Sequence, residues 1–272
     1  MKAGKLILIS TILIITWFFA VCYSAKIAET SSLTASGASP DAIAIRVVPN
    51  PDHYSPLRWY KKNIKIQGSP QSLVIDGYEA VRDGRTVYVN AANISNNNFF
   101  TNIYIISYNQ EAENKTIDVF SQLLSHWEFN TNILLSQDKD NVRADTKRLA
   151  DLAEIKIALD NYGKTHNGDF PALTVGSYVV GKSISVWPSW SATLGKELGI
   201  TLPIDPVNKL GTCLGYDDTT CWNQTTQKFA GVPPNSRVYI YTYDGTKKSY
   251  NVCGLMESSY LTTLEQGACI SL

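Results

Sequence analysis

The chain has 272 residues, with 24 Lys+Arg against 24 Asp+Glu, 44% hydrophobic and 18% charged residues. Zero net charge excludes a polybasic nucleic-acid binder and an acidic-tail protein, so no nucleic-acid partner is expected. A chain of this length and apolar content buries a sizeable core, which excludes wholesale disorder.

At the N-terminus Lys2 and Lys5 precede an apolar run from Leu6 to Cys22, broken only by Ser10, Thr11 and Thr16. A positive flank before such a run keeps the N-terminus inside and sends the remainder across the membrane. Residues 1–25 are therefore expected to be a signal-anchor helix in the cell membrane, single-pass, with the bulk of the chain extracytoplasmic. Cleavage after Ser24 and lipid modification at Cys22 are the competing readings. Residues 26–42, rich in Ser, Ala, Gly and Thr, read as a flexible linker.

Cysteine usage agrees with export. Apart from Cys22, the cysteines are Cys213, Cys221, Cys253 and Cys269. Four cysteines allow three pairings, of which Cys213–Cys221 with Cys253–Cys269 is the economical one. A four-cysteine zinc site would want Cys-x-x-Cys pairs, and the chain has none.

Residues 43–130 read as a small α+β domain. Strands are expected over 42–48, 72–75, 86–89 and 102–108, with turn signals at Gly77, Asp83-Gly84 and Asn96-Asn97-Asn98. Residues 55–66 (Leu57, Trp59, Tyr60, Ile64) and 116–127 (Ile117, Phe120, Leu123, Leu124, Trp127) have helical spacing. His53, beside Asp52 and Tyr54, has no second ligand at metal spacing, and His126 reads as a packing or capping residue. The order of strands, turn and closing amphipathic helix resembles PsbP-like extracytoplasmic domains.

Residues 131–140 are polar and read as a linker. A helix is expected from Val142 to about Lys164, with Leu149, Leu152, Ile155, Leu159 and Tyr162 along one face. It stops at the Gly163–Gly168 turn, and Pro171 prevents an immediate restart.

Arg148-Leu149-Ala150-Asp151-Leu152, then Ile155, Ala158-Leu159, Tyr162 and Asn167-Gly168-Asp169-Phe170-Pro171, resembles the soluble half of type IV pilins and type II secretion pseudopilins. Leu202-Pro203-Ile204-Asp205-Pro206-Val207-Asn208 resembles the LP-x-DP turn of that family, and 238–253 its closing hairpin. The resemblance implies that residues 141–272 lay one long helix across a small antiparallel sheet. It also implies a calcium loop, because some pseudopilins bind calcium before the final strands. Asp217, Asp218 and Asn223 are the oxygen ligands available there. The chain departs from the family in placing the motif more than a hundred residues after the apolar segment. Residues 1–25 also lack the glycine cleavage site followed by Phe-Thr-Leu-Ile-Glu of a prepilin, so the headgroup reads as transplanted.

In the Trp187-Pro188-Ser189-Trp190 stretch, exposed rings would give a recognition surface, whereas buried rings would cover the sheet. With three histidines and no Gly-x-Ser-x-Gly, no set of nucleophile, base and orienter can be assembled. The expectation is a non-enzymatic, membrane-anchored protein displaying a pilin-like domain to a protein or cell-surface partner of the bacterial envelope. The alternatives are an accessory subunit of a type IV pilus or type II secretion-like machine, and an exported ligand-binding protein.

Overall fold

Three tight turns organise the first half of the chain. Asp76-Gly77 and Asn96-Asn97 both hold positive φ at two successive residues (47° and 78°, 50° and 59°), the backbone twist that matches a two-residue hairpin. Gly84, at φ 56°, closes a third. Between them run β2 (Gln71–Ile75), β3 (Tyr78–Asp83), β4 (Thr86–Ser95) and β5 (Asn98–Tyr108). The edge strand β1 (Ile43–Pro49) returns alongside β5, with Ile43 opposite Tyr108, to give the antiparallel order β1-β5-β4-β3-β2.

The computed structural model describes residues 41–261 and 269–271. The expected membrane segment at 1–25 and nearly all of the expected 26–42 linker lie outside them. Among the described residues no helix is long and apolar enough to cross a membrane.

Both faces of this sheet are covered. Helix α1 (Pro56–Asn63) is started by Ser55, whose hydroxyl accepts from the Arg58 amide, and by Pro56 in its first turn. It packs Trp59 and Tyr60 on Val81, Tyr88 and Ile103. On the opposite face, α2 (Asn114–Ser125) sets Phe120 and Leu124 against Val87, Val89 and Ile106. Phe129, Ile133 and Val142 complete that core. Asn130, at φ 50°, links the segment after α2 to β4, accepting from the Ile94 amide and donating to Ala92 O and the Tyr78 hydroxyl.

Residues 131–140, expected to be a linker, contribute to this packing. Ile133 is buried, and helix α3 begins at Ser136, ahead of the expected Val142, and runs to Thr165. Its 30 residues span about 45 Å. Val142 lies in the first core, while Leu152, Ile155 and Leu159 pack into a second core with Tyr239, Tyr241, Tyr250 and Val252.

Those tyrosines and Val252 belong to or adjoin a second antiparallel sheet, β11-β10-β9-β6. Its strands are β6 (Lys182–Ile184), β9 (Ile240–Asp244), β10 (Ser249–Cys253) and β11 (Cys269–Ser271). A π-helical turn, Trp190–Gly195, runs into the short α4 (Lys196–Leu198) and covers the same core. A two-stranded ribbon, β7 (Trp222–Asn223) with β8 (Lys228–Phe229), stands beside a third core of Ile184, Trp187, Leu210 and Val238. The protein is therefore mixed α/β with antiparallel sheets and two disulfides. From Asp41 onward it forms one compact unit.

Three ion pairs tie α3 to the first sheet and α1. Glu154 receives Arg58, whose Nε lies 3.0 Å from both carboxylate oxygens, and also accepts from the Ser55 hydroxyl. Lys147 reaches Glu79 at 2.9 Å, and Arg143 pairs with Asp76.

Candidate functional site

The apolar stripe of α3 is interrupted by charge. Asp145 and Arg148 lie seven and four residues before Leu152, hence on its face, and neither side chain is exposed. Arg148 forks onto Asp205, with Nε to Oδ2 at 2.7 Å and Nη2 to Oδ1 at 3.2 Å. Its Nη1 meets Asp145 Oδ1 and Glu257 Oε2, both at 2.8 Å.

Each carboxylate has further donors. Asp205 Oδ1 accepts from the amides of Val207 and Asn208, which fixes the turn following Pro203. Asp145 accepts from the Glu257 and Ser258 amides at 2.9 and 2.6 Å. Glu257 gives its other oxygen to Arg237 Nε at 2.7 Å. Helix α3, the 202–208 turn and the strap after β10 are thereby joined at one guanidinium. Burial works against the Arg148 charge, but the hydrogen bond and charge of Asp205, then those of Asp145, outweigh it and hold the group protonated. Burial likewise opposes ionisation of Glu257, and the two arginines more than offset it, lowering its pKa.

One turn along α3 is a second polar chain. The Tyr239 hydroxyl donates to Asp151 Oδ2 at 2.9 Å, and Lys147 Nζ lies 3.0 Å from Asp151 Oδ1. Burial pushes the Asp151 carboxyl up to about 6, against the opposing pull of Lys147.

The cysteines pair as Cys213–Cys221 and Cys253–Cys269, with Cα separations of 5.2 and 4.1 Å. The first closes the 213–221 loop over the third core. The second fastens β11 to β10, where the two residues are cross-strand partners.

The 215–223 loop, expected to offer calcium ligands, is organised around its own backbone. Asp217 Oδ1 accepts from the amides and hydroxyls of both Thr219 and Thr220, which lower its pKa to about 2. Asn223 Oδ1 accepts from the Thr226 amide. Asp218 stands exposed on the same loop. Among the described residues no cluster of three or more His, Cys, Asp and Glu side chains could hold a metal ion.

Trp187 and Trp190 are 2% and 0% exposed, so of the two alternatives the rings are buried, and they are not an exposed interaction surface. Each indole nitrogen donates to a carbonyl, Trp187 to Thr220 and Trp190 to Pro203, both at 2.9 Å. The rings were the right size to fill two cores, and their polar atoms found partners inside. His126 and His166 each bring Nδ1 to the carbonyl four residues back, at 2.9 and 2.8 Å, and so cap α2 and α3. His53 Nδ1 lies 2.9 Å from Thr101 Oγ1.

Sequence reasoning missed Asp145 and Glu257 altogether, and cited Arg148 and Asp205 only as motif letters. The available signal was an opposite-charge pair three residues apart lying on the apolar stripe rather than opposite it. No protein-family model, curated protein or solved structure matches this chain.

Proposed function

We propose that this is a non-enzymatic, membrane-anchored extracytoplasmic protein. In this reading residues 141–272 are a pilin-like domain displayed for contact with a protein or cell-surface partner of the envelope. The observation that carries it is the Arg148–Asp205 fork, because it joins the two sequence motifs on which the family resemblance rests. A long helix laid on a small antiparallel sheet, and two disulfides suited to an oxidising compartment, add support. The buried charges are matched to one another, which suits a rigid scaffold for display.

The test is the intact mass of the membrane-extracted protein with and without reduction, together with protease access from the outer face. The expected result is a full-length chain that gains four hydrogens on reduction, two for each disulfide, and is digested from outside. Loss of the first 24 residues would overturn the anchor. A mass unchanged by reduction, or protection of 41–272 from external protease, would overturn the extracytoplasmic placement.

A further inference from the structure

Beside the charge network lies a surface cleft of about 630 Å³ whose lining includes Lys209, Leu210, Thr212, Asn235, Arg237 and Glu257. Lys209 and Arg237 form an antiparallel bridge, exchanging amide-to-carbonyl hydrogen bonds at 2.9 and 2.7 Å. Residues directly opposed in such a pair send their side chains to the same face, and like charges so placed repel. Two cations are thus held side by side at the cleft.

Their charges are incompletely answered. Glu257 divides its two oxygens between Arg237 Nε and Arg148 Nη1. Arg237 Nε and Nη1, both buried, have no aligned hydrogen-bond partner among the described residues, Nε meeting Glu257 as an ion pair at 2.7 Å. Lys209 is exposed and makes no ion pair among the described residues.

We propose that this cleft binds a carboxylate, one oxygen facing Lys209 Nζ and the other the exposed part of the Arg237 guanidinium. Asp218 and Glu257 also line the cleft, so a dianion would meet two negative charges. A monoanionic, planar group with two oxygens suits the pair better than phosphate. Leu210 and Val207 supply apolar surface for a short aliphatic stem. Such a carboxylate reaches the protein either on a small organic acid or on a Glu side chain of a partner chain. The inference goes beyond the display reading: its failure would leave the membrane-topology result untouched, and the converse also holds.

The experiment is calorimetric titration of the full chain in detergent with three probes: butyrate, the blocked tripeptide acetyl-Gly-Glu-Gly-amide and inorganic phosphate. The blocked Gln tripeptide serves as control. The expected result is saturable binding of butyrate or the Glu tripeptide, with the tighter of the two identifying the source, and loss of binding for the Gln tripeptide. Lys209→Gln, an exposed position, should weaken that binding at least roughly tenfold with thermal stability unchanged. Acylation of Lys209 by an amine-reactive ester should slow when the carboxylate is bound, while Lys228 reacts at the same rate. Absence of binding, binding indifferent to Lys209→Gln, or phosphate binding more tightly than either carboxylate would each overturn the proposal.

Discussion

Arg148 and Asp205, 57 residues apart in the chain, face each other as a bidentate pair at 2.7 and 3.2 Å with neither side chain exposed. The pair explains why a helix motif and a distant Leu-Pro-x-Asp-Pro turn occur in one chain, since each supplies the charge that the other must bury. Removing one member of a buried pair strands the rest, at about 3–5 kcal/mol. Arg148→Met leaves Asp145, Asp205 and Glu257 converging without their shared cation, so the expected destabilisation lies at the upper end of that range. Asp205→Asn keeps the shape and leaves Asp145 and Glu257 on Arg148, so it should cost less. In urea unfolding the double variant should be less destabilised than the sum of the singles, with a coupling above about 1 kcal/mol. Additive effects would show that the two groups do not share one network.

The Cys253–Cys269 bridge closes a loop of sequence separation 16 and holds β11 against β10. Restriction of the unfolded chain by a loop of that length stabilises by roughly 3 kcal/mol. Replacing both cysteines by Ser should lower the urea midpoint accordingly. It should also raise amide hydrogen exchange along Ser249–Cys253, the strand that β11 covers. A midpoint shift without faster exchange there would mean that β11 stays paired without its bridge.

Trp190 is fully buried between Tyr239 and the core beneath the π-helical turn, with its indole N–H bonded to Pro203. Trp190→Ala should cost about 3–5 kcal/mol, as other large-to-small aromatic changes in cores do. Trp190→Phe should cost less, yet it leaves the Pro203 carbonyl without its donor. Neither change should alter binding of a partner to the folded protein, measured below the unfolding transition. A loss of binding by folded Trp190→Phe would return the ring to a recognition role.

Local chemistry made much of this architecture readable. The hairpins are announced by Asp76-Gly77, Gly84 and Asn96-Asn97, residues that tolerate positive φ, and the closing hairpin by Asp244-Gly245. Strand β3 is less visible, because Glu79, Arg82 and Asp83 interrupt its apolar alternation to make hydrogen bonds and ion pairs. The start of α3 is hidden for a related reason. Ser136–Asn141 is wholly polar, and its helicity comes from the packed turns that follow rather than from an apolar face of its own. Charge defeats pattern reading most completely at Asp145 and Arg148, a buried opposite-charge pair on the apolar face of a helix. Only the tertiary placement of Asp205 and Glu257 makes their burial tolerable.

Asp151 gives the fold a pH signature separate from ordinary acid denaturation. Its side chain is 8% exposed and faces Lys147 and Tyr239, with Glu79 beyond Lys147 and Arg148 one turn away. A carboxyl whose pKa is raised to about 6 on folding binds its proton more tightly in the native state. Its contribution to stability is therefore greatest below the unfolded value near 4 and is lost as pH rises through 6. Integrated over about two pH units, that loss is roughly 2–3 kcal/mol. Carboxylates held low, such as Glu257, act in the opposite sense and in a lower window, because their stabilisation disappears as pH falls through their depressed pKa. Asp151→Asn keeps an acceptor for Tyr239 and removes the titration. Urea unfolding free energies at pH 4 and pH 6.5 should therefore change more between the two conditions for the wild type than for Asp151→Asn. The difference should be roughly 2–3 kcal/mol, with the wild type losing stability towards the higher pH. Equal pH slopes for the two proteins would mean that Lys147 compensates fully for the burial of Asp151, and that the carboxylate stays ionised throughout the range.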